Sequence, residues 1–593
     1  MKYNINIDYK RDKYLSEFSI KTLQDRYLVA GENSPQDGFA RAASAFADDE
    51  AHAQRLYDYA SKLWFMFSTP ILSNGGTNRG LPISCFLNHV EDSREGITGH
   101  HTENAFLSSV GGGIGGNWSA VRSIGSKTSK GSESTGVIPF IKVVDAQMLA
   151  FSQGVTRRGS YAAYLDVSHP EVEEFLDIRK PTGGDTNRRS TNLHHGIVLS
   201  DKFMDLIEKC TIDKSLDDSW DLVDPHTLKV TKTVSAKALW VKIIQNRVET
   251  GEPYVMFGDT VQAGLPQTQK DMGLKVHHSN LCSEITLPTD EERTAVCCLS
   301  SVNLEEFDEW STNEQFIPDL VRMLDNVLTH FIEHAPTSLE RAKFSAFRER
   351  SIGLGAMGFH AYLQRHSLPF ESVIAKTRNE MMFKHIKGQA LAESRKLAEE
   401  LGEAPDALGT GVRNMHLMAI APNASSSIIC GNTSPSIEPF RANAFVQKTK
   451  SGTSLLKNEY LQDLLQDLEM DTDEVWRSIT NNRGSVQHLD FLDEYTKEIF
   501  KTAVEIDQSW VIEFAADRQK YICQSQSLNL FYPSNVSKLE LHLHHMKAWK
   551  LGVKTLYYAR SEAYKRAESV SDQALRQQII DVADGNDCVM CEG

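Results

Sequence analysis

Long apolar runs are missing from this sequence. No stretch reaches the roughly 18 apolar residues that a membrane-spanning helix needs, which excludes a helical membrane protein. Met1 to Lys13 carries charge but no apolar core, so it is not a secretory signal. Cysteine is scarce, with 9 in 593 residues, too few for a disulfide scaffold. A basic excess is also absent: 63 Lys and Arg face 79 Asp and Glu, for a net charge of −16. That balance excludes general nucleic-acid binding while leaving room for a local basic pocket for phosphates. There is no internal repeat and no low-complexity linker. The histidine doublets His100-His101, His194-His195, His277-His278 and His544-His545 lack the spacing of a metal site, so no metal is expected on this chain. These absences predict a soluble, cytoplasmic protein.

What remains is ordinary globular usage, 40% apolar and 24% charged, in a chain long enough to bury about three-quarters of its unfolded surface. Helical periodicity covers Asp48 to Phe67, Pro318 to His334 and Thr377 to Leu401. Strand-like runs occur at Ala162 to Val167, Gly196 to Leu199, Met415 to Ile420 and Leu528 to Tyr532. Ser68 to Gly80 and Gly111 to Gly136 read as loops. Short strands alternating with long helices predict an α/β architecture with parallel strands.

Gly111 to Gly116 contains a G-x-G-x-x-G match, and Glu133 follows 17 residues on. A dinucleotide site needs a helix directly after those glycines to hold the pyrophosphate, and Asn117-Trp118-Ser119 is loop chemistry instead. A glycine-rich turn allowing close backbone approach is the better reading.

Asn280-Leu281-Cys282-Ser283-Glu284-Ile285 is the most informative hexapeptide. If extended, it projects an amide, a thiol and a carboxylate from one face. Taken alone, the pattern also fits a half-buried strand with a polar face. Cys297-Cys298-Leu299-Ser300 follows, Cys85 lies far upstream, and only Cys588-x-x-Cys591 has the short spacing of a ligand or redox pair.

The Asn-x-Cys-x-Glu pattern, followed by Ala295-Val296-Cys297 and Leu299-Ser300, resembles the large catalytic subunit of class I ribonucleotide reductase. Five further segments match in the family's order: Ser68-Thr69-Pro70-Ile71-Leu72, Ser84-Cys85-Phe86-Leu87, Ser351-Ile352-Gly353-Leu354-Gly355, Ala421 to Ser427 with Ser436-Ile437-Glu438-Pro439, and Lys554-Thr555-Leu556-Tyr557-Tyr558. The resemblance covers nearly the whole chain after about Phe18.

It implies a ten-stranded α/β barrel, two antiparallel halves of five parallel strands, with Cys282 on a central finger loop. The domains expected are a helical region at 1–67, the barrel at 68–566 and a mobile redox tail at 567–593. The implied activity is reduction of ribonucleoside diphosphates to deoxyribonucleotides. Loss of a ribose 2′-hydroxyl is hard by polar means, whereas a radical at C3′ makes loss of water from C2′ easy. In the resemblance Cys282 is the thiyl radical that takes the 3′ hydrogen, Glu284 the general base and Asn280 the group holding the sugar hydroxyls. Cys85 and Cys297 supply two electrons by closing to a disulfide. Neighbouring strand positions face opposite ways, and the family pattern selects Cys297 over Cys298.

Cys588 and Cys591 would reopen that disulfide by exchange, serving a thioredoxin- or glutaredoxin-type reductant, although the family often spaces the pair more widely. Tyr557 and Tyr558 would pass the radical inward from a separate metal-containing small subunit. They argue against the rival reading, an adenosylcobalamin-dependent reductase of the same barrel. A catalytically silent regulator is opposed by the complete set of cysteine, glutamate and asparagine positions. Substrate phosphates are assigned to Thr69, Ser84 and Asn423-Ala424-Ser425-Ser426, where a helix start offers backbone N–H groups and hydroxyls. Nucleoside triphosphate effectors at a homodimer interface are assigned to Asp92 and Arg122, beside the loop Ser126 to Thr135, with Gln153 to Gly159 as the relay toward the base. Because Ser68-Thr69-Pro70 comes so early, an N-terminal regulatory ATP cone has no room, so no overall switch by ATP and dATP is expected.

Overall fold

The computed structural model describes residues 1–151, 159–180, 184–449 and 452–561. Three helices open the chain, Glu17–Arg26, Pro35–Phe46 and Glu50–Ser61. Each starts on a side chain that accepts a first-turn N–H, Ser16 from Ser19, Ser34 from Gln36 and Asp49 from His52. The helical reading through Phe67 fails at its end. Leu63 takes a left-handed φ of 61°, and Phe65–Phe67 forms strand β1, buried at all three positions. The apolar block there reflects a strand covered on both faces, a pattern that period alone does not separate from a buried helix. Ser68 to Gly80, expected as loop, begins with a short helix, Thr69–Asn74, in which Pro70 sits in the first turn.

The sheet then curls into a ring. β2 (Cys85–His89), β3 (Gly113–Asn117), β4 (Ser160–Asp166), β5 (His194–Leu199) and β6 (Tyr254–Phe257) lie side by side in parallel. A second parallel set begins with β7 (Ala295–Asn303) beside β8 (Ile352–Met357). It continues through parallel bridges Leu354↔Met418 and Ile420↔Gln526 to β9 (Leu530–Tyr532). The last position is filled by β10 (Thr555–Leu556) and β11 (Ala559–Ser561), the latter parallel to β9. Antiparallel seams join the halves, with Cys85 opposite Cys297 at one and Thr555 opposite Met256 at the other. Two sets of five parallel strands thus close into the ten-stranded barrel that the resemblance implies. The Met415 to Ile420 run is extended but held by single bridges rather than a full ladder.

Period-2 alternation sorts each strand. Val296, Cys298 and Val302 of β7 join the large core under the helices, while Ala295, Cys297 and Leu299 point into the barrel. Likewise Val255 and Phe257 of β6 face out, and Tyr254 and Met256 face in. The outer helices include Phe316–His334 and Val373–Leu401, close to their expected spans. No helix among the described residues is long and apolar enough to cross a membrane.

The glycine run read as a turn is strand β3. The inferred close approach is nevertheless present: a Cβ on Gly115 would stand 2.0 Å from the Ser279 carbonyl oxygen and 2.8 Å from Asn280 Cα. The bare strand makes room inside the barrel for another segment of chain.

Candidate active site

That segment is the chain from His277 to Leu287. Residues 280–285 are not the extended strand that their alternation would allow but a loop, as the resemblance implies; Ser283 adopts a left-handed φ of 69° and the chain turns. Among the described residues no strand pairs with it, and its backbone polar groups are satisfied piecemeal by both barrel halves. Tyr164 Oη donates to the Asn280 carbonyl at 2.8 Å, and His278 Nε2 donates to the Gly115 carbonyl at 3.0 Å. From the other half, Ser527 Oγ donates to the Cys282 carbonyl, Thr555 Oγ1 to that of Ser283 at 2.8 Å, and the Ser525 N–H to that of Glu284 at 2.8 Å. Asn280 closes the turn on itself, its Oδ1 accepting from the Ile285 N–H at 3.2 Å, while its buried Nδ2 has no hydrogen-bond partner.

The loop bridges two inner clusters. Leu281 and Cys282 pack with Tyr164, Tyr254, Tyr557 and Tyr558. Ile285 and Leu287 pack with Cys85 and Cys297. Cys282 therefore stands between a tyrosine group and a pair of thiols. Glu284 is fully buried, and its Oε2 accepts from Ser527 Oγ at 3.1 Å.

Cys85 and Cys297 are directly opposite each other across the antiparallel seam. Such partners have Cα atoms about 4.5–5.5 Å apart, within the span of a disulfide. Cys298 faces the outer core, as alternation requires. Burial pushes the Cys297 thiol well above its ordinary range, only partly offset by Gln524 Nε2, which donates to its Sγ at 3.4 Å. At neutral pH Cys297 therefore carries its proton, suiting it to donate hydrogen rather than to attack as a thiolate.

The rings of Tyr557 and Tyr558 lie 4.3 Å apart between centroids, and Tyr254 contacts both, at 4.7 and 5.1 Å. Tyr558 is the outer of the pair, under the Arg560 guanidinium at 4.0 Å and with its hydroxyl 3.4 Å from His194 Nδ1. Burial holds all three phenols above their usual pKa, with Tyr558 pushed up to about 12. None can shed a proton in advance, so oxidation of one must move proton and electron together.

Thr69 and Ser84 approach each other because β1 and β2 lie end to end along β7, Phe67 opposite Ser300 and Cys85 opposite Cys297. Asn423 reaches the same neighbourhood. Its Oδ1 accepts from Ser301 Oγ at 3.0 Å, and its Nδ2 donates to the Ala356 and Ala421 carbonyls. With a left-handed φ of 54° it sets the turn into helix Ala424–Ile429. Its side chain is thus occupied, and the groups left over are backbone N–H donors and the hydroxyls of Ser425 and Ser426. Ser426 Oγ is buried without a partner.

Asp92 and Arg122 are paired with each other, Arg122 Nε donating to both Asp92 oxygens at 3.0 Å, with His226 Nδ1 3.2 Å from the same carboxylate. Lys127 and Glu133 pair across the exposed loop that follows. Residues 153–158 of the expected relay loop, and the tail with Cys588 and Cys591, lie outside the described residues. Of the doublet histidines, His278 anchors the central loop and His194 touches Tyr558, and among the described residues no group of three or more His, Cys, Asp or Glu is placed to hold a metal.

Sequence reasoning missed Tyr254, Gln524, Ser525, Ser527 and Thr555 as neighbours of the central loop. The signal available was the polar run Gln524-Ser525-Gln526-Ser527 just ahead of an apolar strand, which has no reason to be polar unless it faces polar groups inside.

Comparison with known proteins bears on the family and the fold. The family model "Ribonucleotide reductase, barrel domain" matches residues 83–407 and 406–559, and "Ribonucleotide reductase, all-alpha domain" matches 13–80. The ribonucleoside-diphosphate reductase large subunit of Invertebrate iridescent virus 3 is 44% identical over 99% of this chain and 100% of its own length. The Caenorhabditis elegans large subunit is 31% identical over 100% of this chain and 83% of its own. Among solved structures, the Actinobacillus ureae class Id ribonucleotide reductase alpha subunit superposes with a TM-score of 0.80. It is 36% identical, over 94% of this chain and 98% of that one.

Proposed function

The chain belongs to the large-subunit family of ribonucleotide reductase, and from that premise we propose which of its residues reduce ribonucleoside diphosphates to 2′-deoxyribonucleotides. The observation that carries the assignment is the position of Cys282, on a loop spanning the barrel between Tyr557-Tyr558 and the seam pair Cys85–Cys297. As a class I large subunit it draws its radical from a small subunit. Tyr558 and then Tyr557 are the inward steps, moving hydrogen as coupled proton and electron because their phenols stay protonated.

Cys282 Sγ then removes the 3′ hydrogen of the bound ribose, Glu284 accepts the 3′-hydroxyl proton, and the unpaired Asn280 Nδ2 donates to the sugar hydroxyls. The 2′-hydroxyl leaves as water, taking a proton from the thiol pair. Two electrons from Cys85 and Cys297 complete the reduction as their sulfurs join. The second thiol hydrogen goes to C2′, Glu284 returns its proton to the 3′ oxygen, and return of hydrogen from Cys282 to C3′ restores the radical at Cys282. Ser527 positions Glu284 and Gln524 positions Cys297. Diphosphate binding falls to Thr69, Ser84 and the N–H groups and hydroxyls at Ala424-Ser425-Ser426, with Asn423 fixing their turn. Effectors take Asp92 and Arg122, parting the present ion pair, and the tail thiols Cys588 and Cys591 reopen the disulfide for an external reductant.

The test is formation of deoxycytidine diphosphate from CDP with a nucleoside triphosphate effector and a dithiol, with and without the metal-loaded small subunit from the same source. Turnover that requires the small subunit and is lost in Tyr557→Phe is expected. Turnover without it, or undiminished in that variant, would overturn the relay.

A further inference from the structure

Cys523 is used by none of these steps, yet its surroundings are those of an anion. It sits between helix Gln508–Gln519 and the barrel bridge at Gln526, and it is partly exposed. The backbone N–H groups of Leu417 and Met418 both point at its Sγ, at 3.0 and 3.2 Å. Lys387, on helix Val373–Leu401, brings its ammonium to 3.8 Å from the same sulfur. His416 faces it as well. Gln269 Oε1 accepts from His416 Nε2 at 3.1 Å, which leaves the buried Nδ1, without any other hydrogen-bond partner, toward the thiol. Lys554 adds a second cation, its Nζ donating to the Cys523 carbonyl at 2.6 Å. A neutral thiol is a weak acceptor and would not gather so many donors; the acceptors within reach of an S–H are the Met418 carbonyl, at 3.8 Å, and His416 Nδ1, a base that draws the proton off the sulfur.

We propose that Cys523 is a peroxide-sensitive thiolate, a modification site distinct from the reduction centre that takes hydrogen peroxide and then a low-molecular-weight thiol. Burial opposes the charged sulfur, but Lys387, His416 and the Leu417 N–H together outweigh it, holding its pKa well below the thiol range. The sulfur attacks one peroxide oxygen, forming S–O and breaking O–O. Sulfur is oxidised by two electrons, the peroxide is reduced, and hydroxide departs with a proton as water. The incoming thiol then forms S–S, breaks S–O and releases a second water. The next residue, Gln524, donates to Cys297, so the modification would reach the seam thiols. That consequence rests on the role proposed for Cys297; the reactivity of Cys523 does not.

The experiment is residue-resolved alkylation of the reduced full-length chain with iodoacetamide across pH 6.5 to 8.5, with dimedone trapping after peroxide. For an ordinary thiol the rate rises about 50-fold over that range. Cys523 is expected to change less than about twofold and to carry the dimedone adduct, and Lys387→Met is expected to restore a rise of tenfold or more. An ordinary pH profile at Cys523 in the unaltered chain, or no dimedone adduct there, would overturn the proposal even if the variant fails to fold. Both readouts are independent of reductase activity.

Discussion

A single methyl group on Gly115 tests whether the central loop is held in register by the bare strand beneath it. Gly115 lies in β3 with its missing side chain toward the barrel interior, where a Cβ would come within 2.0 Å of the Ser279 carbonyl oxygen. Ordinary contact begins at about 3.5 Å, so the loop backbone must retreat by roughly 1.5 Å. The obstructing atoms are backbone and cannot swing aside as a flexible side chain could. Hydrogen transfer to Cys282 requires the reacting atoms within about 3–3.5 Å, and a displacement of about 1 Å costs on the order of 100-fold in rate. Gly115→Ala should therefore lower kcat for CDP reduction by about 100-fold or more, in the presence of the small subunit. As a control, Gly388 lies exposed in helix Val373–Leu401, and a Cβ there meets nothing within 4 Å. Gly388→Ala should raise stability by about 0.5–1 kcal/mol and leave kcat unchanged. Activity of Gly115→Ala within twofold of the parent, with the fold intact by circular dichroism, would refute the packing argument.

Two other outcomes follow from burial. Glu349 is buried beside Asp406, with its pKa held up at about 8 mainly by desolvation and relieved in part by Arg293. Its folded value exceeds the unfolded value of about 4.3, so its contribution is full below pH 4.3 and is lost as pH rises through 8. Glu349→Gln should flatten the fall in Tm between pH 5 and 8 and raise stability at pH 8.5 by a few kcal/mol, on the scale of about 1.4 kcal/mol per pKa unit; an unchanged pH–Tm curve would argue against it. Cys297→Ser should abolish multiple turnover while Cys298→Ser, which alters an outward-facing core position, should keep kcat within about threefold, as read by the CDP assay; equal losses in both would mean the alternation does not decide the partner of Cys85.

Much of this architecture was legible from residue order. The long helices announced themselves through period, and the choice of Cys297 followed from strand alternation together with the family pattern. The register that sets Cys85 opposite Cys297 was not legible, because 211 residues separate them and pairing across a seam leaves no local mark. Alternating polarity in Asn280 to Glu284 has the look of a strand, so period alone did not reveal the turn at Ser283; it was the family resemblance that put Cys282 on a central loop. Glycines in β3 looked like a turn for the complementary reason, since a strand seldom gives up its side chains unless another backbone needs the space. Tyr254 was hidden in the apolar run Tyr254–Phe257, where sequence says strand but not which face meets Cys282.

The central claim is that Cys282 uses the seam thiols to reduce one ribose at a time. The decisive measurement is a single turnover of the pre-reduced chain with the small subunit, effector and CDP, without external reductant, followed by quantitation of product and peptide mapping of disulfides. The account predicts deoxycytidine diphosphate in step with a Cys85–Cys297 disulfide, including in a variant in which Cys588 and Cys591 are replaced by serine, and neither product nor disulfide in Cys282→Ser. Product formed by Cys282→Ser, or a disulfide joining Cys85 to Cys298, would contradict it.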